Sequence, residues 1–129
     1  MKKAIFVILM ACVNGNAVAA WVKVLGGVYF DSYVDPATIR RAGNIVTMWT
    51  LRNYKTTEVL GSKKYLSTRL QYEIDCKQEH FRTLYATFHS GPMADGDVID
   101  SASAPDKWAP IPPESVIEVQ RKFACSTRK

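Results

Sequence analysis

The sequence predicts an α+β domain, in which several β-rich runs are closed by one C-terminal amphipathic helix. Three observations carry that reading. From Tyr65 to Cys76 apolar and polar side chains alternate, the period of a strand with one buried and one wet face. After Pro112-Pro113 the apolar spacing changes to three and four residues, the period of a helix. Two cysteines, Cys76 and Cys125, remain once an N-terminal leader is set aside, and an even pair suits a disulfide.

The leader comes first in the chain. Met1-Lys2-Lys3 is a short positive region, residues 4–13 are almost continuously apolar, Asn14-Gly15-Asn16 breaks the run, and Ala17-Val18-Ala19-Ala20 supplies small residues. That order of zones predicts a secretory signal over residues 1–20, cut after Ala19 or Ala20. A transmembrane anchor would need about 20 apolar residues. Leu9-Met10-Ala11-Cys12 also has the look of a lipobox, which leaves lipidation of Cys12 as an alternative. Cleavage leaves one domain over residues 21–129, near the common domain size of about 100–150 residues.

Composition narrows the function classes. The chain is 47% apolar and 11% aromatic, which argues for a packed core and against disorder. Its formal net charge of +5 loses the two cations Lys2 and Lys3 with the leader. The remaining cations are dispersed, with Arg40-Arg41, Lys63-Lys64 and Arg121-Lys122 as the doublets before the tail. Nucleic-acid binders concentrate charge on one element, so no nucleic-acid partner is expected. Export favours a Cys76–Cys125 bridge. Two free thiols, or a metal pair with His80 close by, are the alternatives. A bridge would close a loop of about 50 residues and contribute about 4 kcal/mol in the chain-entropy model.

The elements follow in order. Residues 21–24 and 28–34 are β-rich runs around the turn Gly26-Gly27, and Asp35-Pro36 ends the second. Arg41-Ala42-Gly43-Asn44 is a turn. Residues 45–54 form a strand with Ile45, Thr47, Trp49 and Leu51 expected on the core face, and residues 55–63 read as a polar loop. Residues 65–76 and 80–89 make an antiparallel hairpin across Lys77-Gln78-Glu79. Gly91-Pro92 ends that strand, and Asp95-Gly96-Asp97 turns into Val98-Ile99. The proline-rich stretch 101–113 is an extended crossing, pinned by Trp108 and Ile111. The final helix spans about Ser115 to Ala124, with Val116, Val119 and Phe123 on its apolar face. A helical wheel sets Cys125 on the polar side, so the helix should end or unwind just before a bridge to Cys76.

No catalytic constellation appears. His80 and His89, nine apart on one strand, are expected on opposite faces, unsuited to a shared metal or proton relay. Neither a phosphate loop nor a nucleophile or zinc motif is present. Asp95-Gly96-Asp97 with Asp100 lacks the third early ligand and distal glutamate of a calcium loop, so it reads as a turn. The expectation is therefore no enzyme, no cofactor, no metal site and no membrane span after the leader is removed. Trp49, Tyr72, Tyr85 and Phe123 are read as core packing. The polar face of residues 65–76 offers Tyr65, Arg69 and Gln71, types suited to protein contact, although such a face is also an ordinary solvated surface.

Several strings together resemble one family. Tyr33-Val34-Asp35-Pro36-Ala37-Thr38-Ile39-Arg40-Arg41 precedes a strand bearing Met48-Trp49. Tyr72-Glu73-Ile74-Asp75-Cys76-Lys77 and Ser90-Gly91-Pro92-Met93 follow. Trp108-Ala109-Pro110-Ile111-Pro112-Pro113-Glu114-Ser115-Val116 comes last, and a cysteine ends the helix. In order and spacing they resemble the surface-adhesin protein E family over nearly the whole mature chain. The resemblance implies an antiparallel sheet of about six strands, with the helix held to its concave side by one disulfide. It also implies an exported envelope protein of a Gram-negative bacterium, at the surface or in the periplasm. Its expected role is binding a protein, such as a host matrix protein or plasminogen, and it implies a homodimer as one assembly. The leader here departs from the founding, lipid-anchored member and favours ordinary cleavage, which makes the periplasm the default. The alternatives are a periplasmic accessory protein with an internal partner, or a small metal-binding or hydrolytic protein using His80 or His89.

Overall fold

A computed structural model describes residues 20–103 and 105–126. The leader, with Cys12, lies outside the described residues. The strands are β1 (Val22–Leu25), β2 (Phe30–Val34), β3 (Arg40–Ala42), β4 (Ile45–Leu60), β5 (Lys63–Asp75), β6 (His80–His89), β7 (Val98–Ala102) and β8 (Ala109–Pro110). One helix, α1 (Val116–Cys125), follows them. All strand pairs are antiparallel and make one sheet in the order β1-β2-β4-β5-β6-β7. The six-strand path is the expected one. Two short strands add to it, β3 on β4 and β8 on β6.

The stretch 55–63, expected as a loop, instead continues both neighbouring strands. β4 runs on to Leu60 and β5 starts at Lys63, joined through Gly61 at φ 64°. The left-handed backbone at that position suits glycine and closes a tight hairpin, so polar composition alone does not break the ladder. Pairing is irregular between Asn53 and Glu58, where β4 carries extra residues. Gly43, also at φ 64°, turns β3 onto β4 and converts part of the expected turn into a strand.

The buried face of β4 is the opposite of the expected one. Val46, Met48 and Thr50 are fully buried, with Val34, Tyr72 and Ile74 across the neighbouring strands. Trp49 stands on the other side of the sheet. β-branched and aromatic residues occupy both parities of β4, so alternation there gives no direction. Leu51 is also fully buried, on the side away from the helix, where the short 3-10 turn Pro92–Ala94 packs over β4, β5 and β6.

α1 begins at Ser115, whose Oγ accepts from the Glu118 N–H at 3.1 Å. Its buried residues are Ile117, Gln120 and Ala124. That stripe is turned by about 100° from the expected Val116, Val119 and Phe123 face. The rotation resolves the position of Cys125. The residue lies roughly a quarter turn from the stripe, not opposite it, and bonds Cys76 from the last helical position. The sulfurs are 2.02 Å apart and the Cα atoms 5.8 Å. Gln120 enters the interior because its Nε2 donates to Ser32 Oγ at 2.8 Å, a partner hydropathy cannot reveal. Ile117 and Ala124 complete a core with Val34, Val46, Met48, Tyr72 and Ile74.

A β-bulge corrects the histidine reading. Gln71 pairs with Tyr85 and Tyr72 with Thr83, so Leu84 is an extra residue in β6. The parity of β6 inverts there. His80 and His89 therefore share a face, opposite Asp75 and Ser67 respectively. Eight residues of β5 separate those partners, about 26 Å at strand rise, so the two imidazoles remain apart. Among the described residues, no group of three or more His, Cys, Asp and Glu gathers into a metal-holding cluster.

Candidate functional site

The side of the sheet away from α1 carries a ladder of aromatic and cationic side chains. Three rungs cross β4, β5 and β6: Leu51–Arg69–Thr87, Trp49–Gln71–Tyr85 and Thr47–Glu73–Arg82. The Arg69 guanidinium lies 4.0 Å from the centroid of the Trp49 ring. Tyr85 meets Trp49 edge-on, with centroids 5.8 Å apart. One rung away, Arg82 sits 4.7 Å over Trp108 and donates from Nε to Glu73 Oε1 at 2.7 Å. Trp108 keeps 39% of its surface exposed, Trp49, Arg69, Tyr85, Arg82 and Glu73 are half-buried, and Leu51 and Thr87 are buried.

The bulge at Leu84 makes this arrangement. Without it, Tyr85 and Arg82 would fall on opposite faces, and the ladder would lose either its ring or its ion pair. Stacking on Trp49 fixes the Arg69 plane, a contact of about 0.5–2 kcal/mol depending on desolvation. Arg82 is neutralised by Glu73. Among the described residues Arg69 has no carboxylate in an ion pair, so its guanidinium remains available to an incoming acceptor.

The upper end of the same face is closed. Ser67 Oγ donates to Gly91 O at 2.7 Å and accepts from the Ala94 N–H at 2.8 Å, and Asn53 Oδ1 accepts from the Met93 N–H at 2.7 Å. These bonds hold Met93 and Ala94 in left-handed backbone, φ 56° and 62°. His89 is buried beside them, and its Nε2 is 2.8 Å from Thr87 Oγ1 while Nδ1 has no partner. Burial, with the Arg69 charge adding, holds the imidazole below its ordinary pKa.

Of the three expected contact residues, the structure keeps Arg69 and Gln71 together and separates Tyr65. The Tyr65 ring joins Tyr54 at 5.6 Å and Phe88 at 5.1 Å, and Tyr54 meets Phe30 at 5.5 Å. Burial, then Tyr54 and Glu58, push the Tyr65 phenol up. Trp49, Tyr85, Arg82 and Trp108 were not anticipated as surface members. Alternation of β5 was the usable signal, since it already set Arg69 and Gln71 on one face. The bulge that adds Tyr85 leaves no mark in composition.

This architecture defines a class: a single antiparallel sheet with one disulfide-pinned helix on one side and an aromatic–cation face on the other. Residues 21–126 match the family model described as Surface-adhesin protein E, and the chain belongs to that family. Among solved structures it is similar to protein E of Haemophilus influenzae. The identity is 14%, over 86% of this chain and 87% of that chain, with a TM-score of 0.63. A second crystal form of that protein gives a TM-score of 0.67 at 13% identity, over 86% and 91% of the two chains. Identity this low speaks for the fold. No curated protein sequence matches the chain. No helix among the described residues is long and apolar enough to cross a membrane.

Proposed function

We propose that this protein is an exported, non-enzymatic binding domain of the bacterial cell envelope that engages a protein partner through the Trp49–Arg69–Tyr85 face. The observation that carries the reading is the pre-organised guanidinium of Arg69 on Trp49 beside Tyr85. Trp, Tyr and Arg are the residue types that dominate interface energetics when they can be desolvated. Family membership supports an adhesin-like surface role, and the partner class we propose for it is a host matrix protein or plasminogen. Mature protein begins near Trp21 once residues 1 to about 20 are removed. β1 and β7 end the six-strand path of the sheet, and strand addition by a second copy or a partner peptide would fall on Val22–Leu25 or Val98–Ala102, the longer of its edges.

Protease added to whole cells tests display, and binding to immobilised matrix proteins and plasminogen tests the partner. The expected result is cleavage of the displayed protein and binding that Arg69→Ala and Trp49→Ala each weaken at least about tenfold. Protection from protease together with no binding at about micromolar concentration would reject the adhesin reading.

A further inference from the structure

Charges on the open face of the sheet are matched except at its centre. Asp31 is held by Lys23 at 3.6 Å and Lys55 at 3.4 Å, and Glu73 accepts from Arg82 Nε at 2.7 Å. Asp75 Oδ1 accepts from the N–H groups of Lys77 and Gln78 at 3.0 and 2.9 Å. Arg40, in register with Thr47, donates from Nη1 to Ala37 O at 2.8 Å. Arg69 differs. Its rung Tyr33–Leu51–Arg69–Thr87–Ser101 crosses β2, β4, β5, β6 and β7, which sets it in the middle of the face. Among the described residues its side chain has neither a hydrogen bond nor an ion pair.

The donors of Arg69 are within reach of a ligand, since none of its nitrogens is both buried and unpartnered. Trp49 lies against the face of the guanidinium, 4.0 Å away, and the five N–H donors point outward in the plane of the group. Stacking therefore fixes the orientation of the fork without using its hydrogen bonds, and a fork of that shape fits a carboxylate through two parallel bonds. The surroundings limit the ligand's charge. Leu51, Thr87, Trp49, Gln71 and Tyr85 are uncharged, and the next arginine along the ladder, Arg82, is already neutralised by Glu73. A sulfated or phosphorylated polymer needs a field of unpaired cations. A single carboxylate needs one.

We propose that the Trp49–Arg69–Tyr85 site receives an isolated Asp or Glu side chain of the partner protein, carried on a segment whose neighbouring residues are uncharged. The inference rests on the reading of this face as a protein-contact surface and names the group that it recognises. The partner's carboxylate takes the free edge of Arg69. Its uncharged neighbours cover Trp49 and Tyr85 and keep water from the pair, which strengthens it. The recognition is by charge complementarity at one point in the centre of the face, where interface energy concentrates.

Titration of the disulfide-bonded protein, followed by its backbone amide resonances and the Trp49 indole N–H, tests this. The probes are an end-blocked valine–glutamate–valine tripeptide, its valine–glutamine–valine counterpart and a heparin fragment. Saturable shifts at Trp49, Arg69, Gln71 and Tyr85 are expected with the glutamate peptide, and at least about fivefold weaker binding with the glutamine peptide. That comparison needs no altered protein. Arg69→Gln should erase the preference for the acid, Arg69→Lys should reduce it, and Arg40→Gln, on the same face, should leave it intact. Equal loss with Arg69→Gln and Arg40→Gln would mean a diffuse field and overturn the proposal. So would tighter binding of the heparin fragment at these residues, or no saturable shift with the glutamate peptide up to about 10 mM. Equal binding of the two peptides would also overturn it, yet leave the face as a protein-contact surface. The wider reading fails separately, when a whole partner protein binds no less well to Trp49→Ala.

Discussion

Removing the Cys76–Cys125 bridge is the perturbation whose cost the structure lets us work out most directly. The cysteines are 49 residues apart, and the loop they close contains β6, β7, β8 and α1. For a loop of about 50 residues the chain-entropy relation gives about 14 cal/mol/K, or about 4 kcal/mol at 25 °C. A domain of this size has only about 5–15 kcal/mol in total, so the bridge is a large share. With a urea slope of about 1.5 kcal/mol/M, the Cys76→Ser/Cys125→Ser double variant should unfold at a midpoint about 2–3 M lower. Reduced wild-type protein should behave likewise. Urea titration followed by far-ultraviolet circular dichroism and Trp fluorescence measures both. A midpoint shift below about 0.5 M would refute the reasoning. It would mean that Ile117 and Ala124 hold α1 to the sheet without the covalent tie, or that the reduced chain retains enough structure to remove the entropy difference.

Three further outcomes follow from particular side chains. Because the folded protein disfavours protonated His89, the unfolded chain binds that proton more readily; stability should be complete above about pH 6.5 and fall as pH drops toward the lowered folded value. His89→Gln should shrink the difference in urea midpoint between about pH 7.5 and about pH 5.5, and an unchanged difference would assign the pH dependence to other groups. Met48→Ala empties a fully buried position among Val34, Tyr72 and Ile74 and should cost about 2–5 kcal/mol by thermal or urea unfolding. Gly96→Ala should cost about 1–3 kcal/mol, since φ is 75° there and a new Cβ would sit 2.8 Å from Gly91 N and against Ser90 Oγ; a neutral result would show that the turn can relax.

What the sequence made legible depended on whether local pattern and tertiary partner agreed. β5 was readable because Thr68, Leu70, Tyr72 and Ile74 alternate without competition from the other parity. The cysteine pair was readable from counting. The direction of β4 is not legible because Ile45, Trp49 and Leu51 are as apolar as Val46 and Met48, and only the docked helix decides which row is covered. The continuation of β4 and β5 past Tyr54 was hidden because Lys55, Thr56, Thr57 and Glu58 have the composition of a loop, although Thr favours strand. The rotation of α1 was hidden because a glutamine belongs inside only when a serine waits for it.

The bulge at Leu84 has the widest functional consequence, and it shows why face assignments from alternation fail beyond one strand. A single extra residue exchanges the two faces for every residue on one side of it. In β6 it leaves Phe81 on the helix side, where its ring meets Tyr72 at 5.9 Å, and still leaves Phe88 there to meet Tyr65. The same slip sets Arg82 and Tyr85 on the opposite side, against Glu73 and Trp49. An uninterrupted strand could not supply both pairs: keeping Phe81 inside would turn Tyr85 inward and Phe88 outward. The slip therefore lets β6 complete the aromatic contacts on the helix side of the sheet while building the Arg69 face behind it. Deleting Leu84 would restore regular alternation and should disrupt both sides at once, whereas Trp49→Ala should act on the open face alone.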